Sequence, residues 1–303
     1  MKIVSVDKVY IYPEHIRELK KYGEVVVYND IPDEQEGIKR IKDVEIVIDN
    51  WFEMPARVIV SASKLKMICI AATGYEWIDI KEAKKKNIVV SNSPGYGTEA
   101  VAEHTAGLLL SASRLAFQAR LDIQNGKWDT MVYKGKELKG KTLGIIGYGS
   151  IGRRVAEICQ KGFGVKILYA NTSTNRNDFE SLLRNSDFIS INAPLTEKTK
   201  GLLGKKEFQL MKKGVVLINT GRGAIIQEEI LVKNLQLGKV FAAGLDVLTK
   251  EPMDKTNPLF SFPNVIITPH IGFNSEEAEY RLSEIVVQNI KAFLDGKPQN
   301  LVN

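Results

Sequence analysis

Two cysteines and three histidines in 303 residues leave little for a disulfide framework or a metal centre to use. Cys69 and Cys159 lie in apolar patterns with no Cys-x-x-Cys spacing, so buried reduced thiols are expected and no metal site. No apolar run approaches the ~18 residues that span a bilayer. The start, Met1 to Val6, reads as a strand rather than a secretion signal, so no membrane association and a cytoplasmic location are expected. Aromatics make up only 8% of the chain. The lysine clusters Lys84-Lys85-Lys86, Lys205-Lys206 and Lys212-Lys213 have no interleaved aromatic on which a base would stack. The formal net charge of +6 therefore reads as a solvated surface, not as a nucleic-acid face.

What is present is alternation. Apolar runs at Lys2 to Val6, Val25 to Tyr28, Ile46 to Ile48 and Lys66 to Ile70 are separated by charged, helical stretches at His15 to Lys21 and Glu34 to Ile41. A second series follows at Leu143 to Ile146, Val165 to Tyr169, Phe188 to Asn192, Val215 to Asn219, Ala242 to Asp246 and Val265 to Thr268. Strand-helix repetition of this kind builds parallel sheets, and the length suits two domains of roughly 100 to 200 residues each. Between the series, the turn formers Ser91 to Thr98 lead into a long apolar helix, Ala100 to Ala116. A final amphipathic helix, Ser275 to Leu294, comes after the second sheet is complete and is expected to return to the first lobe. The fold expected is α/β, with two Rossmann-like doubly wound parallel-sheet domains. Residues 1–93 and 275–303 form a discontinuous flavodoxin-like lobe, and 94–274 form the dinucleotide-binding lobe.

One stretch organises the second lobe. The run ending at Ile146 breaks into Gly147-Tyr148-Gly149-Ser150-Ile151-Gly152 and then into a helical pattern from Arg153. Strand, tight turn and helix in that order make a dinucleotide site. Gly147 permits the turn, Gly149 lets a pyrophosphate approach the backbone, and Gly152 lets the helix pack on the strand.

Ligands sit at the carboxyl ends of such strands. In the first lobe those ends carry Asn50 and Trp51, and Thr73 and Gly74, whose backbone N–H groups suit an anion. In the second they carry Asn219-Thr220-Gly221-Arg222-Gly223, Asp246 with Glu251-Pro252, and Pro269-His270-Ile271-Gly272. A guanidinium at Arg222 suits bidentate carboxylate binding, His270 can move a proton near neutral pH, and Glu251 can hold its imidazole. His104, inside the long helix with only Glu103 nearby and on another face, reads as a packed or capped structural histidine.

Together these segments resemble the D-isomer-specific 2-hydroxyacid dehydrogenases, and within them the glycerate dehydrogenase and hydroxypyruvate/glyoxylate reductase group. Ala71-Ala72-Thr73-Gly74-Tyr75, Pro94-Gly95-Tyr96, the Gly147 loop, Ala193-Pro194-Leu195-Thr196, Asn219 to Gly223, Glu251-Pro252 and Pro269 to Gly272 occur in family order over nearly the whole chain. The resemblance implies a small 2-oxo acid reduced to the D-2-hydroxy acid, with His270 as acid/base, Glu251 as its partner and Arg222 on the substrate carboxylate. Asn50, Trp51, Thr73 and Gly74 would line the substrate. The nicotinamide coenzyme would be held by the glycine loop together with Pro194, Thr220, Gly221, Asp246 and His270. NAD-preferring members place an aspartate where Asn171 stands; without it Thr172, Ser173 and Arg176 are expected to accept a 2′-phosphate, which favours NADP(H) over NAD(H). Asn192 stands where a histidine often does, which touches only a secondary contact.

Phosphoglycerate dehydrogenases of this family tend to place an arginine where Asp49-Asn50-Trp51 stands, and none stands there, so the resemblance favours glyoxylate or hydroxypyruvate over a phosphorylated acid. D-3-phosphoglycerate and D-lactate dehydrogenases of the same family are the alternatives, and a nucleotide-sensing corepressor-like binding protein is the alternative of another class. The family also implies a homodimer through the segment around Ala100 to Tyr133.

Overall fold

The structure, a computed structural model, describes residues 1–303. Along the chain the first elements are β1 (Lys2–Ser5), α1 (Pro13–Leu19), β2 (Glu24–Val27), α2 (Glu34–Ile41), β3 (Ile46–Asp49), α3 (Ala56–Ser61), β4 (Met67–Ile70), α4 (Ile80–Lys85) and β5 (Val89–Ser91). Two helices, α5 (Thr98–Arg114) and α6 (Ala116–Gln124), precede the second series. That series is β6 (Thr142–Ile146), α7 (Ser150–Phe163), β7 (Lys166–Ala170), α8 (Arg176–Asn185), β8 (Phe188–Ile191), α9 (Lys205–Leu210), β9 (Val215–Asn219), α10 (Glu228–Gln236), β10 (Val240–Leu245) and β11 (Val265–Ile267). The last helix is α11 (Glu276–Leu294).

Two compact units result, residues 1–97 with 274–303, and residues 98–273. The first junction follows Gly97 instead of Ser93 because the intervening turn stays tied to the first unit, where the Tyr96 carbonyl accepts from Arg281 Nε at 2.9 Å.

The first unit is a five-stranded sheet in the order β2-β1-β3-β4-β5, every pair parallel. All four residues of β3 and of β4 are buried, as continuous apolar runs must be when helices cover both faces. α11 supplies part of that cover, packing on β4 and α1. Its buried Ala278, Leu282, Val286 and Ile290 recur every four residues on one stripe, and Ser275 caps its N-terminus by accepting from the Ala278 amide at 3.2 Å. Cys69, on β4, is a free thiol that full burial pushes up to about 12.

The second unit is a six-stranded parallel sheet in the order β11-β10-β9-β8-β6-β7. The order reverses beside β6, so the carboxyl edge there is the ligand-binding crevice of a doubly wound sheet. α5 packs against α7, β9 and β10. It ends at Arg114, short of the expected Ala116, because Leu115 adopts a left-handed φ of 54° and starts α6 in a new direction. None of the residues of α6 is buried.

Two buried carboxylates stand beneath the loop after β3, Asp49 at the strand end itself and Asp7, which carries no signal in the sequence. The Asp7 carboxylate accepts the amides of Asn50, Trp51 and Phe52, with Phe52 N at 2.8 Å, and so shapes the loop after β3. Asp49 accepts from the Trp77 indole at 2.6 Å through Oδ2, while its buried Oδ1 has no partner. Burial raises both carboxyls; the neighbouring Asp7 charge drives Asp49 further up, whereas three amides pull Asp7 back, so the proton of the pair rests on Asp49. A carboxyl raised on folding costs stability as pH climbs from the unfolded value through the folded one. Asp49→Asn removes that cost and should raise the thermal midpoint at pH 8 by ~3 °C while leaving it unchanged near pH 4; calorimetry showing a lower midpoint at pH 8 would contradict this protonation assignment.

Candidate active site

The glycine loop follows β6 as the residues require. Gly147 takes φ 94°, and a Cβ there would lie 2.5 Å from the Ala193 amide nitrogen, so the loop runs hard against the end of β8. A Cβ on Gly152 would collide with the Gly147 carbonyl oxygen. At Gly149 the surroundings differ, because a Cβ would meet nothing within 4 Å. Gly149 is also the N-cap of α7 and provides no side-chain cap, so the first amides of a 14-residue helix face the open side of the loop. A glycine with space above it at an uncapped helix start fits a pyrophosphate, which would use that space and those donors.

Two further strand ends converge on the same edge. A Cβ on Gly221 would lie 2.7 Å from the Ala193 carbonyl oxygen. Asn192 donates to the Thr220 hydroxyl at 3.0 Å and accepts from Ser190 at 2.8 Å. Thr220 meets the Thr105 hydroxyl at 2.8 Å, and Thr105 donates to the Val101 carbonyl at 2.6 Å. This chain fastens the ends of β8 and β9 to α5, so Asn192 has a structural duty of its own.

His270 and Glu251 meet directly, Nδ1 to Oε2 at 2.8 Å. Burial raises the Glu251 carboxyl, but the His270 hydrogen bond, the Leu248 amide and the charges of His270 and Arg222 outweigh it, and the net direction is down. Glu251 is thus a carboxylate at neutral pH, its Oε1 anchored to the Leu248 amide at 2.8 Å. Arg222 follows β9; its guanidinium donates to the Gly221 carbonyl at 2.9 Å, and its charge reaches Glu251.

The turn carrying His270 is built around Asp246, at the end of β10. His270 has a left-handed φ of 55°, unusual for a residue with a Cβ. Asp246 Oδ1 accepts from the Thr268 hydroxyl at 2.6 Å and the Ile271 amide at 2.9 Å, and Oδ2 accepts from the Gly272 amide at 2.8 Å. Burial raises the Asp246 carboxyl, while His104, Thr268 and the two amides bring it below its ordinary value. Its carboxylate is therefore committed mainly to its own chain, with lone-pair capacity left for a ligand only on Oδ2.

His104 corrects its reading as a histidine lacking an acid. The acid comes from Asp246, across the sheet edge, with Nε2 3.3 Å from Oδ1 and 3.1 Å from Thr268 Oγ1. No helical spacing within α5 signals that contact.

After β7, Asn171 turns its side-chain oxygen back onto the Ser173 amide at 2.9 Å and hydroxyl at 2.7 Å. Arg176, expected to accept a phosphate, instead bridges Glu180 at 2.8 Å and Glu207 at 3.0 Å. Any anion there competes with two carboxylates. Tyr148 stacks on Tyr169 with ring centroids 4.0 Å apart, which steadies the glycine loop against β7.

In the first unit, Thr73 donates its hydroxyl to the Ser93 carbonyl at 3.1 Å, and its own carbonyl accepts from Asn92 at 2.8 Å. Asn50 donates to the Ala71 carbonyl at 2.8 Å and accepts from the Trp51 indole at 2.6 Å, joining the loops after β3 and β4.

Residues 106–272 match the NAD-binding domain of the D-isomer-specific 2-hydroxyacid dehydrogenases. A hydroxypyruvate reductase of Blautia hydrogenotrophica is 38% identical over 100% of both chains. A glyoxylate reductase of Thermococcus litoralis is 37% identical over 96% of this chain and 94% of its own. Among solved structures, an acyclic imino acid reductase in complex with NADPH and D-arginine superimposes with a TM-score of 0.92 at 34% identity, covering 100% of each chain.

The two loop glycines separate folding from binding. Gly149→Ala should leave the thermal midpoint within ~1 °C yet weaken coenzyme binding at least tenfold, about 1.4 kcal/mol, whereas Gly152→Ala should lower both. Fluorescence titration and thermal melts check this, and unchanged coenzyme affinity in Gly149→Ala would remove the pyrophosphate from that position.

Proposed function

This chain belongs to the D-isomer-specific 2-hydroxyacid dehydrogenase family, and we propose that within it the protein reduces glyoxylate or hydroxypyruvate to the D-2-hydroxy acid. The observation that carries the proposal is the 2.8 Å contact between His270 Nδ1 and a Glu251 that remains ionised. With Nδ1–H donated to that carboxylate, Nε2 of the protonated ring is left to deliver a proton. A bound nicotinamide would supply the hydride to C2 of the oxo acid. His270 delivers its proton to the carbonyl oxygen, so hydride and proton together turn the carbonyl into the alcohol. Arg222 grips the substrate carboxylate and offsets charge growing on that oxygen. Within the first unit, the amides of Thr73 and Gly74 suit a carboxylate, and Asn50 and Trp51 suit a small, uncharged side chain.

NADPH is favoured over NADH because Asn171 lacks the carboxylate that would repel a 2′-phosphate; Thr172 can donate to it, Ser173 would first have to release Asn171, and Arg176 would share its charge with Glu180 and Glu207. The protein works as a homodimer in the cytoplasm. α6 supports the dimer: it has 9 residues and buries none, while an isolated helix under ~12 residues is marginal in water. Beyond it Trp128 is 83% and Met131 84% exposed. A second copy covering this segment would supply the burial it lacks. The two free, buried thiols suit a reducing compartment.

A second reading, reduction of an imino acid, is favoured by the solved relative named for that activity. Steady-state rates with glyoxylate, hydroxypyruvate, pyruvate and phosphohydroxypyruvate, each with both coenzymes and with and without methylamine, separate the readings. The expected result is amine-independent turnover, fastest on glyoxylate or hydroxypyruvate with NADPH; turnover only with amine would establish the imino acid reading, and none on any acid would leave a nucleotide-binding module. His270→Ala should reduce kcat by ~10²- to 10⁴-fold with coenzyme affinity retained, and Asn171→Asp should move the preference toward NADH.

A further inference from the structure

His104 stands one helix away from the chemistry, yet its ring is set into the turn that carries His270. We propose that His104 is a positioning residue for His270, acting through the Thr268 hydroxyl and the Asp246 carboxylate; this rests on His270 being the acid/base.

The hydrogen bonds have only one consistent direction. Thr268 has a single hydroxyl proton, and it goes to Asp246 Oδ1 at 2.6 Å, because an ionised carboxylate can only accept. The Thr268 oxygen is then an acceptor toward His104, 3.1 Å away, so His104 must hold its proton on Nε2. The same N–H lies 3.3 Å from Asp246 Oδ1 and adds a charge-assisted contribution to that oxygen. His104 thereby keeps the Thr268 hydroxyl turned toward Asp246 and Asp246 turned toward the amides of Ile271 and Gly272.

Packing points the same way. A Cβ on Gly272 would lie 2.9 Å from Asp246 Oδ2 and 3.5 Å from His104 Cδ2, so ring, carboxylate and turn backbone are in mutual contact. The His270 amide is held by the Asp246 carbonyl at 2.9 Å and the Thr268 carbonyl at 3.0 Å. A left-handed φ at a residue with a Cβ persists only where neighbours over-determine it, and His104 closes that set from α5. An apolar side chain of the same size would fill the space and lose the donor.

The test compares His104→Phe, which keeps the ring volume without the donor, with His104→Gln, whose amide can donate. The expected result is a kcat about tenfold lower in His104→Phe, with KM for glyoxylate and coenzyme affinity within about twofold of wild type, and recovery to within about threefold in His104→Gln. Thr268→Val should lose as much as His104→Phe, and the double variant no more than the worse single. An unchanged kcat in His104→Phe, equal losses in the Phe and Gln variants, a loss confined to KM, or additive losses in the double variant would each overturn the proposal. If His104→Phe does not fold, His104→Leu takes its place in every comparison. His270→Ala measured alongside separates the two levels: turnover surviving there refutes the acid/base reading itself, whereas turnover lost there but intact in His104→Phe refutes only the positioning role.

Discussion

A single carboxylate, that of Asp246, governs how chemistry is mounted on the second unit. A histidine that both pairs with Glu251 and sits in left-handed backbone needs its turn held from several sides. Asp246 holds it with one hydroxyl and two amides from within the turn, and its backbone carbonyl takes the His270 amide as well. The small residue at Gly272 is required for that approach, since a Cβ would lie 2.9 Å from the carboxylate oxygen. A side chain 3% exposed therefore controls the direction of one that is not.

The same economy runs along the edge. Parallel strands place their last residues side by side, so loops far apart in sequence become neighbours without long excursions. The chain from Asn192 through Thr220 and Thr105 to Val101 ties two of those loops to α5. The long helix is therefore a brace for the site as well as a core element, contributing Thr105 on one side and His104 on the other.

The architecture was legible because period and punctuation agreed. α2 and β9 fall where the pattern places them, and the glycine loop is followed by a helix as its spacing requires. The His270 and Glu251 pair was legible too, since few residue types can do that work and both follow apolar strands. Short helices such as α3 and α4 carried too few turns to show a period. Buried polar contacts were the larger gap: Asp7, Asp49 and the acid partner of His104 depend on which strands become neighbours, and neighbouring strands leave no mark on the local pattern. Arg176 illustrates the converse, because a cation near a phosphate-binding loop looks available until Glu180 and Glu207 arrive from α8 and α9.

The division of the chain has a consequence for its manufacture on the ribosome. The second unit is one uninterrupted segment, 98–273, and can close its sheet as soon as β11 emerges. The first cannot: β4 stays uncovered by α11, and the β5 edge waits for Asn300 and Val302, until the whole of the second unit has been made. The half synthesised first is thus completed last, and its apolar strands are exposed to chaperones and to one another for the whole time the other half takes to be made.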